Sequence, residues 1–409
     1  MSVALLSIGT ELLRGEIADA NAPWLAAELS QMGFSVEAIE VVADDRDKLG
    51  ASLRRLGEQH SHVIASGGLG ATSDDVTAQA IAQVLGVSLH CDEDVLATIR
   101  RHVEERGLEL VAGHRKQAML PQGCTALPNS RGTAPGLIVQ LGHATAIALP
   151  GNPSELQRMF VDQVAPRILP AASKDTFQVC LHVYGLGEAA LSERLQGLQQ
   201  AHPGVVITTR AHRPETDINV RAHGASYPEA RALAEATARE VSLRLGDAIY
   251  GEGDDTLAQV AARSARSRGY RLACAESCTG GQIAQQLAAH ACCDVFAGGT
   301  VTYDIPAKTR LLGVSEDTLR GHSAASAEVA AEMAEGSRRA FDCEVGIAVA
   351  GVSGFGGVTS TRPAGLCYWS VAHPGGTVVE HGEFVGSLDE LQRHATCAVL
   401  DLLRRTLRG

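Results

Sequence analysis

The sequence is poor in aromatic residues and in positive charge, and it has no long hydrophobic run. Aromatic residues make up only 4% of the 409 residues, which disfavours a stacking platform for single-stranded nucleic acid. Lysine and arginine total 35 against 47 acidic residues, and the net charge of −12 argues against a general nucleic-acid binder. Because apolar runs of about 18 residues are absent, we expect no membrane-spanning helix.

Signals for secretion and for metal binding by cysteine pairs are also missing. No lysine or arginine precedes Arg14, so the start of the chain does not resemble a signal peptide. The ten cysteines are therefore predicted to be reduced thiols of a cytoplasmic protein. Cys274 and Cys278, like the adjacent Cys292 and Cys293, lack a second cysteine pair or a histidine cluster nearby. The spacing therefore does not predict a structural zinc site.

The sequence pattern changes along the chain and predicts three parts. Residues 1–170 alternate apolar runs with amphipathic segments, which predicts a largely parallel sheet with helices on both faces. Residues 171–250 predict a small α+β module, residues 251–256 a linker, and residues 257–409 a second α/β domain. The predicted fold class is α/β, with two α/β domains of largely parallel sheets joined by the small module.

A glycine-rich segment, SGGLGATSDDVTA (66–78), follows an apolar run and precedes a predicted helix with acidic residues in its first turn. Its glycines let the backbone approach a ligand closely, and their N–H groups favour an anion such as phosphate. The residues able to cap the helix are Thr72, Ser73, Asp74 and Asp75. The two aspartates are also candidates for holding a cation. A capped turn without a ligand is the competing interpretation.

Other loops strengthen the ligand interpretation, since ligands of open parallel sheets lie at the carboxyl ends of strands. These segments are IGTELLRGEIADAN (8–21), HRKQAMLP (114–121), NSRGTAPG (129–136) and LPGNPSE (149–155). Together with the glycine-rich segment, they resemble the molybdopterin-binding fold, and more closely the N-terminal domain of the competence/damage-inducible CinA family. The resemblance implies a nucleotide-diphosphate pocket and, as in some members, a metal-dependent ADP-ribose pyrophosphatase activity.

The residues predicted to bind this nucleotide lie in the loops just described. They are Gly9, Thr10, Glu11, Asn21, Gly67, Gly68, Gly70, Thr72, Asp75, Asn129, Gly132, Pro150 and Gly151. The activity implies a divalent metal ion, whose identity the sequence does not specify. Its candidate ligands are Glu11, Asp74 and Asp75.

A second motif, AESCTGG (275–281), places Ser277 where a predicted strand turns into a helix. N–H groups at the start of the helix, from Thr279 onwards, are candidates for stabilising an oxyanion. A serine nucleophile needs a base, and Lys308 is the best local candidate because a buried lysine can lose its charge. The competing interpretation makes Ser277 an N-cap and Lys308 a surface cation. Cys278 is either an alternative nucleophile or a small buried hydrophobe.

Three segments together resemble the C-terminal domain of CinA, a nicotinamide-mononucleotide amidohydrolase (PncC-type) domain. They are the AESCTGG motif, TYDIPAKTRLLGV (302–314) and IAVAGVSGFGGVTSTRPAG (347–365). The resemblance implies that Ser277 is the nucleophile, that Tyr303 and Lys308 assist proton transfer, and that this step needs no cofactor. The implied oxyanion and substrate-binding residues are Thr279, Gly280, Gly281, Gly356, Gly357, Thr359 and Arg362.

Departures from the family pattern keep a second hypothesis open. Phe355 and Val358 stand in the glycine loop where the family has other residues, and Leu388 and Gln392 occupy positions that are usually arginine. The alternative is therefore a nucleotide- or pterin-binding protein with a degenerate amidase domain. A DNA-related role, suggested only by the family name, is disfavoured by the acidic charge.

The middle part carries a basic, histidine-bearing turn, TTRAHRPETD (208–217). The resemblance places a KH-like module here, but YGLGEAA (184–190) does not clearly supply the GXXG clamp of an RNA-binding KH domain. A spacer or dimer-contact role is favoured. The expected partners are nicotinamide mononucleotide, ADP-ribose and a second copy of the chain, without membrane or nucleic acid.

Overall fold

The computed structural model describes residues 2–168, 176–289, 294–352 and 363–408. The chain divides into two compact units, Met1–Thr176 and Phe177–Gly409. The second unit contains both the middle module and the C-terminal domain. Within the described residues, none of the helices is long and apolar enough to cross a membrane.

The first unit is built on a six-stranded sheet in the order β2-β1-β3-β8-β7-β6, with β4 and β5 paired separately. Its strands are Ser2–Ile8 (β1), Ser35–Val42 (β2), His62–Ser66 (β3), Leu89–Cys91 (β4), Met119–Pro121 (β5), Thr125–Leu127 (β6), Gly136–Leu141 (β7) and Ala144–Leu149 (β8). Its helices are Thr10–Leu13 (α1), Asn21–Gln31 (α2), Arg46–Gln59 (α3), Thr77–Leu85 (α4), Glu93–Glu104 (α5), Ala112–Gln117 (α6), Pro153–Met159 (α7) and Ala165–Ile168 (α8).

Strand β1 shows why helices cover both faces of this sheet. Successive side chains of a strand point to opposite faces. Val3 and Leu5 pack in a core with residues of α2 and α7, whereas Ala4 and Leu6 pack in a second core with residues of α3 and α4. The α/β class predicted from the sequence is confirmed.

The carboxyl ends of four neighbouring strands of this sheet meet at one edge. Strand β1 is parallel to both β2 and β3, and β3 is parallel to β8. Because the chain leaves β1 for β2 on one side and continues with β3 on the other, the strand order reverses between β1 and β3. Open α/β sheets bind ligands at such a point.

The second unit carries two sheets. Its strands are Thr176–Tyr184 (β9), Val205–Ala211 (β10), Glu215–His223 (β11), Ile249–Glu252 (β12), Leu272–Glu276 (β13), Phe296–Val301 (β14), Val345–Gly351 (β15), Leu366–His373 (β16) and Gly376–Glu383 (β17). Its helices are Glu188–Leu195 (α9), Leu198–Ala201 (α10), Tyr227–Leu245 (α11), Leu257–Arg266 (α12), Gln282–Ala289 (α13), Ile305–Leu312 (α14), Glu316–His322 (α15), Ala327–Phe341 (α16) and Leu388–Thr406 (α17).

The middle module is a four-stranded sheet in the order β10-β11-β9-β12 with helices on one face. Leu181 and Ile218 of the sheet pack with Leu191 of α9 and Val241 of α11. The alternate residues of β9 and β11, including His182 and Asp217, point to the opposite face because side chains alternate along a strand. This arrangement confirms the predicted α+β module.

The C-terminal sheet has the order β14-β13-β15-β16-β17. Strands β14, β13 and β15 are parallel, whereas β16 and β17 are antiparallel, so the sheet is parallel on one side only. Leu272 and Cys274 face a core shared with α12 and α17, and Ala275 faces the core of α16. Helices therefore cover both faces, and β13 ends in the interior of the sheet.

Candidate functional site

The loops after β1, β3 and β8 line a cavity of about 510 Å³ in the first unit. The cavity therefore lies at the edge where the strand order reverses. It brings together many of the predicted residues, namely Glu11, Gly67, Gly68, Gly70, Thr72, Asp74, Asp75, Pro150 and Gly151. Its lining also includes Asp44, Gln117, Thr133, Asn152 and Glu155, which sequence reasoning missed.

Two glycines of the loop after β3 are required by its path. Gly67 has φ +109° and Gly68 has φ +65°, a region that side-chain-bearing residues rarely adopt. A Cβ at Gly67 would overlap the carbonyl oxygen of Ile8, and one at Gly68 would overlap the hydroxyl of Thr77. The backbone of this loop is therefore pressed against the end of β1, next to the cavity.

The prediction that acidic residues occupy the first turn of the following helix is wrong. Helix α4 begins at Thr77, after an N-cap at Val76 that makes no side-chain capping bond. None of the four residues proposed to cap it does so. Instead, Asp75 Oδ2 accepts hydrogen bonds from the N–H and hydroxyl of Thr72, at 2.9 and 2.7 Å. Lys116 Nζ donates to the carbonyl oxygens of Thr72 and Asp75 and fixes this turn beside the cavity.

The cavity is acidic. Its lining carboxylates are Glu11, Asp44, Asp74, Asp75 and Glu155. A bare pyrophosphate would be repelled here, so the lining fits a divalent cation that accompanies the phosphates. Among the described residues, Glu11, Asp74 and Asp75 do not form a compact three-ligand group.

The remaining predicted residues of this unit do not line the main cavity. Asn21 Nδ2 donates to the Gly151 carbonyl at 2.8 Å, and the Thr10 N–H donates to Asp44 Oδ2 at 2.7 Å. Gly9 precedes α1. Asn129 and Gly132 line an adjoining cavity of about 270 Å³. Gln117, by contrast, carries a buried Oε1 that has no partner among the described residues, and it lines the main cavity.

The second predicted site lies at the end of β13, in the second unit. Ser277 directly follows Glu276, the last residue of the strand, and is 7% exposed. Gly280 and Gly281, with φ +63° and +105°, turn the chain into α13. The strand-to-helix corner predicted for Ser277 is thus present, although its hydroxyl lies largely beneath the surface.

Glu276 holds this corner, which sequence reasoning missed. Its buried carboxylate accepts hydrogen bonds from the N–H groups of Gly281, Ile283 and Ala284 at 2.9, 3.1 and 2.9 Å. An ionised acceptor suits the positive end of a helix. Glu276 therefore caps α13 through its side chain, a role that the competing interpretation gave to Ser277.

This cap corrects the assignment of free N–H groups at the helix start. The N–H of Gly281 is committed to Glu276, and that of Gly280 donates to the Ser277 carbonyl at 3.1 Å. The buried side chain of Thr279 has a hydroxyl without a partner among the described residues. Among Thr279, Gly280 and Gly281, Thr279 is thus the residue that still offers unused hydrogen-bonding capacity.

Lys308 is buried rather than a surface cation. It is 1% exposed, and its Nζ donates to the Thr302 carbonyl at 2.5 Å. The Thr302 N–H donates in turn to the Glu276 carbonyl at 2.7 Å, so Lys308 is tied to the residue before Ser277. Burial lowers the pKa of Lys308 from 10.5 to about 8, against the opposing influence of Cys278 and Asp304.

Cys278 points into the core. Its sulfur lies 3.8 Å from that of Cys367, and a Cβ at Gly351 would fall 2.8 Å from it. The hydrogen bond from Cys367 lowers the pKa of Cys278 and raises that of Cys367, and the Lys308 charge also lowers the pKa of Cys278. This packing matches the small buried hydrophobe considered for this position.

Two further residues flank the corner. Tyr303, the other predicted proton-transfer residue, is 58% exposed and lies just before α14. Gln392 of α17 donates to the Cys278 carbonyl at 2.9 Å and accepts from Gln282 at 3.3 Å. The position that is usually arginine in the family therefore holds a neutral side chain beside the corner.

Part of the predicted site lies outside the described residues. These positions are Gly356, Gly357, Thr359 and Arg362. Phe355 and Val358, which depart from the family pattern, and the adjacent Cys292 and Cys293 also lie outside the described residues.

Comparisons with known proteins match all three parts of the chain. Family models for a probable molybdopterin-binding domain, the damage-inducible protein CinA KH domain and the CinA C-terminal domain match residues 4–170, 178–251 and 254–407. A CinA-like protein of Geobacter sulfurreducens is 38% identical over 410 residues, covering 100% of this chain and 99% of that protein. A CinA-like protein of Dictyoglomus turgidum is 34% identical, with 100% and 99% covered.

A solved structure titled as the protein CinA with unknown function from Thermoplasma acidophilum is 34% identical. It covers 41% of this chain and 97% of its own, with a TM-score of 0.38. On the full-length likeness to the curated relatives and the three matching domain models, this chain belongs to the CinA family.

Proposed function

We propose that the chain is a hydrolase of pyridine-nucleotide recycling whose C-terminal domain deamidates nicotinamide mononucleotide to nicotinic acid mononucleotide and ammonia. The observation that carries this proposal is the buried Lys308, whose pKa of about 8 gives it a substantial neutral fraction near physiological pH. It is hydrogen-bonded to a neutral carbonyl and tied to the strand end that presents Ser277.

The proposed reaction begins when neutral Lys308 accepts the proton of the Ser277 hydroxyl. The serine oxygen attacks the carboxamide carbon, and Thr279 helps to stabilise the resulting oxyanion. The C–N bond then breaks, and the leaving nitrogen takes a proton from Lys308 and departs as ammonia. Water hydrolyses the resulting ester by the same proton route. Tyr303 supports these transfers in our proposal, as the family resemblance implies.

In the first unit we propose a metal-dependent ADP-ribose pyrophosphatase. Support comes from the acidic cavity at the carboxyl ends of β1, β3 and β8, which the glycine loop lines with Gly67, Gly68 and Gly70. A divalent ion bound here would neutralise phosphate charge and polarise a phosphoryl oxygen. Glu11 and Asp74 are the residues we propose to hold it, since Asp75 Oδ2 already accepts two hydrogen bonds from Thr72, whereas Asp74 accepts one from Ser73.

The direct test of the amidase is ammonia release from nicotinamide mononucleotide by the purified full chain, with the nucleotide product identified by chromatography. We expect turnover in the wild type and in Cys278→Ala, and its loss in Ser277→Ala. Undiminished turnover in Ser277→Ala would eliminate Ser277 as the nucleophile. The same preparations report the oligomeric state, which we propose to be a homodimer.

A second candidate function is a nucleotide- or pterin-binding protein with a degenerate amidase domain. The neutral Gln392 beside the corner favours it, since the family resemblance leads us to expect an arginine at this position. Tight nucleotide binding in the first unit, without amide turnover from mildly acidic to alkaline pH, would support this candidate over the amidase.

A further inference from the structure

Three potential metal ligands of different chemistry meet in the middle module. Three ligand atoms all lie within 4.8 Å of one another: the sulfur of Cys180, a ring nitrogen of His182 and a carboxylate oxygen of Asp217. Cys180 and His182 are two residues apart on β9, so their side chains leave the same face of the sheet. Asp217 lies on the neighbouring strand β11. Across the described residues, no other group of this kind occurs.

The ring of His182 is held at both nitrogens. Its Nε2 lies 2.8 Å from the carbonyl oxygen of Gly253, and its Nδ1 lies 2.8 Å from Asp217 Oδ1. When Nε2 carries the proton and donates to Gly253, Nδ1 presents its lone pair to the cluster. Histidines that bind metals usually donate their other ring N–H to a carbonyl or carboxylate in this way.

Two residues of the basic turn complete the surroundings of Asp217. His212 Nε2 lies 3.0 Å from Asp217 Oδ1, and Arg210 donates to Asp217 Oδ2 at 2.9 Å. Arg210 therefore orients the carboxylate through the oxygen that does not face the cluster. The side chain of Asp217 is 6% exposed and that of His182 is 12% exposed, whereas that of His212 is 40% exposed. The cluster thus has a buried base and an accessible entrance.

We propose that the middle module binds one zinc ion through Cys180 Sγ, His182 Nδ1 and Asp217 Oδ1, with His212 Nε2 as the fourth ligand. Zinc is favoured over magnesium or calcium because thiolate and imidazole ligands suit it, whereas those ions prefer oxygen. Bond lengths of about 2.0–2.3 Å in a tetrahedron separate ligand atoms by roughly 3.3–3.6 Å. His182 Nδ1 and His212 Nε2, now 2.8 and 3.0 Å from Asp217 Oδ1, would therefore each move away from it by about 0.5 Å. His212 is not part of the group whose ligand atoms all lie within 4.8 Å of one another, so its side chain would have to move closer to complete the tetrahedron. Binding releases the thiol proton and any proton on Nδ1 to solvent.

This site would join β9, β11 and the turn at His212, and so tie the sheet together on the face opposite α9 and α11. It is independent of the proposed amidase and pyrophosphatase, because none of its ligands lies in either site. The competing explanation is a hydrogen-bonded network in which Asp217 neutralises Arg210 and protonated histidines. That network requires no metal, and the two explanations differ in how Cys180 behaves when zinc is added.

The test uses the full chain after chelation and dialysis, with Zn²⁺ and Co²⁺ as probes. Titration with Co²⁺ is expected to give a thiolate-to-cobalt absorption band that saturates at one equivalent and is displaced by Zn²⁺. The band should be lost in Cys180→Ser, weakened in His212→Ala and retained in the matched control Cys124→Ser. Circular dichroism establishes that each variant is folded.

A second measurement needs no variant. Zinc is expected to slow alkylation of Cys180 at least about tenfold, because the metal-bound thiolate is protected, while Cys124 alkylates at the same rate with and without zinc. Peptide mass spectrometry reads both sites. Alkylation of Cys180 that is indifferent to zinc, or an unchanged cobalt band in folded Cys180→Ser, overturns the proposal in favour of the hydrogen-bonded network.

Discussion

The side-chain nitrogen of Lys308 lies 2.5 Å from the backbone oxygen of Thr302, in a position where the lysine is almost fully screened from water. A carbonyl oxygen stabilises an ammonium group less than a carboxylate does, so desolvation prevails and the pKa falls to about 8. In our proposal this lysine is the proton acceptor for Ser277. It also makes the proposed chemistry sensitive to pH in a defined range.

We predict that kcat/KM for nicotinamide mononucleotide rises with pH through about 8 and then levels off. Only the neutral amine can accept the serine proton, and the neutral fraction of Lys308 grows as pH passes its pKa. Steady-state rates measured from pH 6 to 10 check this. A flat profile between pH 7 and 9 would show that Lys308 is not the base.

Lys308→Met is predicted to lower turnover by about 10²-fold or more, and yet to stabilise the fold near neutral pH. The lowered pKa means that the folded wild type binds fewer protons than the unfolded chain between pH 8 and 10.5. Wild-type stability therefore rises with pH across that window. Below it, the buried charge opposes folding.

Equilibrium unfolding in urea measures this effect. At pH 7 we expect Lys308→Met to be more stable than the wild type by about 1–3 kcal/mol. The difference should shrink by pH 10, where the wild-type lysine is neutral in the fold. A variant that is less stable at pH 7 would mean that the Thr302 hydrogen bond outweighs the desolvation of the ammonium group.

Gln392→Arg is predicted to lower KM for nicotinamide mononucleotide about tenfold with little change in kcat, since a charge-assisted bond to the substrate phosphate contributes mainly to binding. The replaced side chain already reaches the Cys278 carbonyl, so an arginine can be accommodated at the corner. Gln285→Arg, on the exposed side of α13, adds the same charge elsewhere and serves as the control. Equal KM values for both variants would contradict the prediction.

ADP-ribose hydrolysis by the full chain is predicted to require added Mg²⁺ or Mn²⁺ and to fall at least about tenfold in Glu11→Gln and Asp74→Asn. Both carboxylates line the acidic cavity. Glu58→Gln, an exposed position on α3, is the matched control and should retain full activity. Hydrolysis that persists in excess chelator would contradict the proposed metal requirement.

The strand-to-helix corner at Ser277 could be predicted from sequence because an apolar run meets a Thr-Gly-Gly turn within a few residues. The side-chain cap from Glu276 could not, since a glutamate at the end of a buried run carries no pattern that shows where its carboxylate points. Helix α4 was predicted to start too early for a related reason. Asp75 bonds back to Thr72 rather than forward to the helix, and only the fold decides between these partners.

The cluster around Asp217 was missed because its members are distant in sequence. Cys180 and His182 are separated from His212 and Asp217 by a helical segment and the edge strand β10. Zinc sites are recognised in a sequence by pairs of cysteines or histidines separated by only a few residues. A Cys-x-His pattern on a strand, facing an aspartate of the next strand, is the signal that would have revealed it.

The proposal of Ser277 as a covalent nucleophile is tested most directly by trapping the acyl-enzyme. Acid quenching during turnover of nicotinamide mononucleotide, followed by fragmentation mass spectrometry of the peptide that carries Ser277 and Cys278, locates the adduct. We predict a nicotinate-mononucleotide ester on Ser277 that persists in Cys278→Ala and disappears in Ser277→Ala. An adduct on the sulfur of Cys278, or one that survives in Ser277→Ala, would contradict the account.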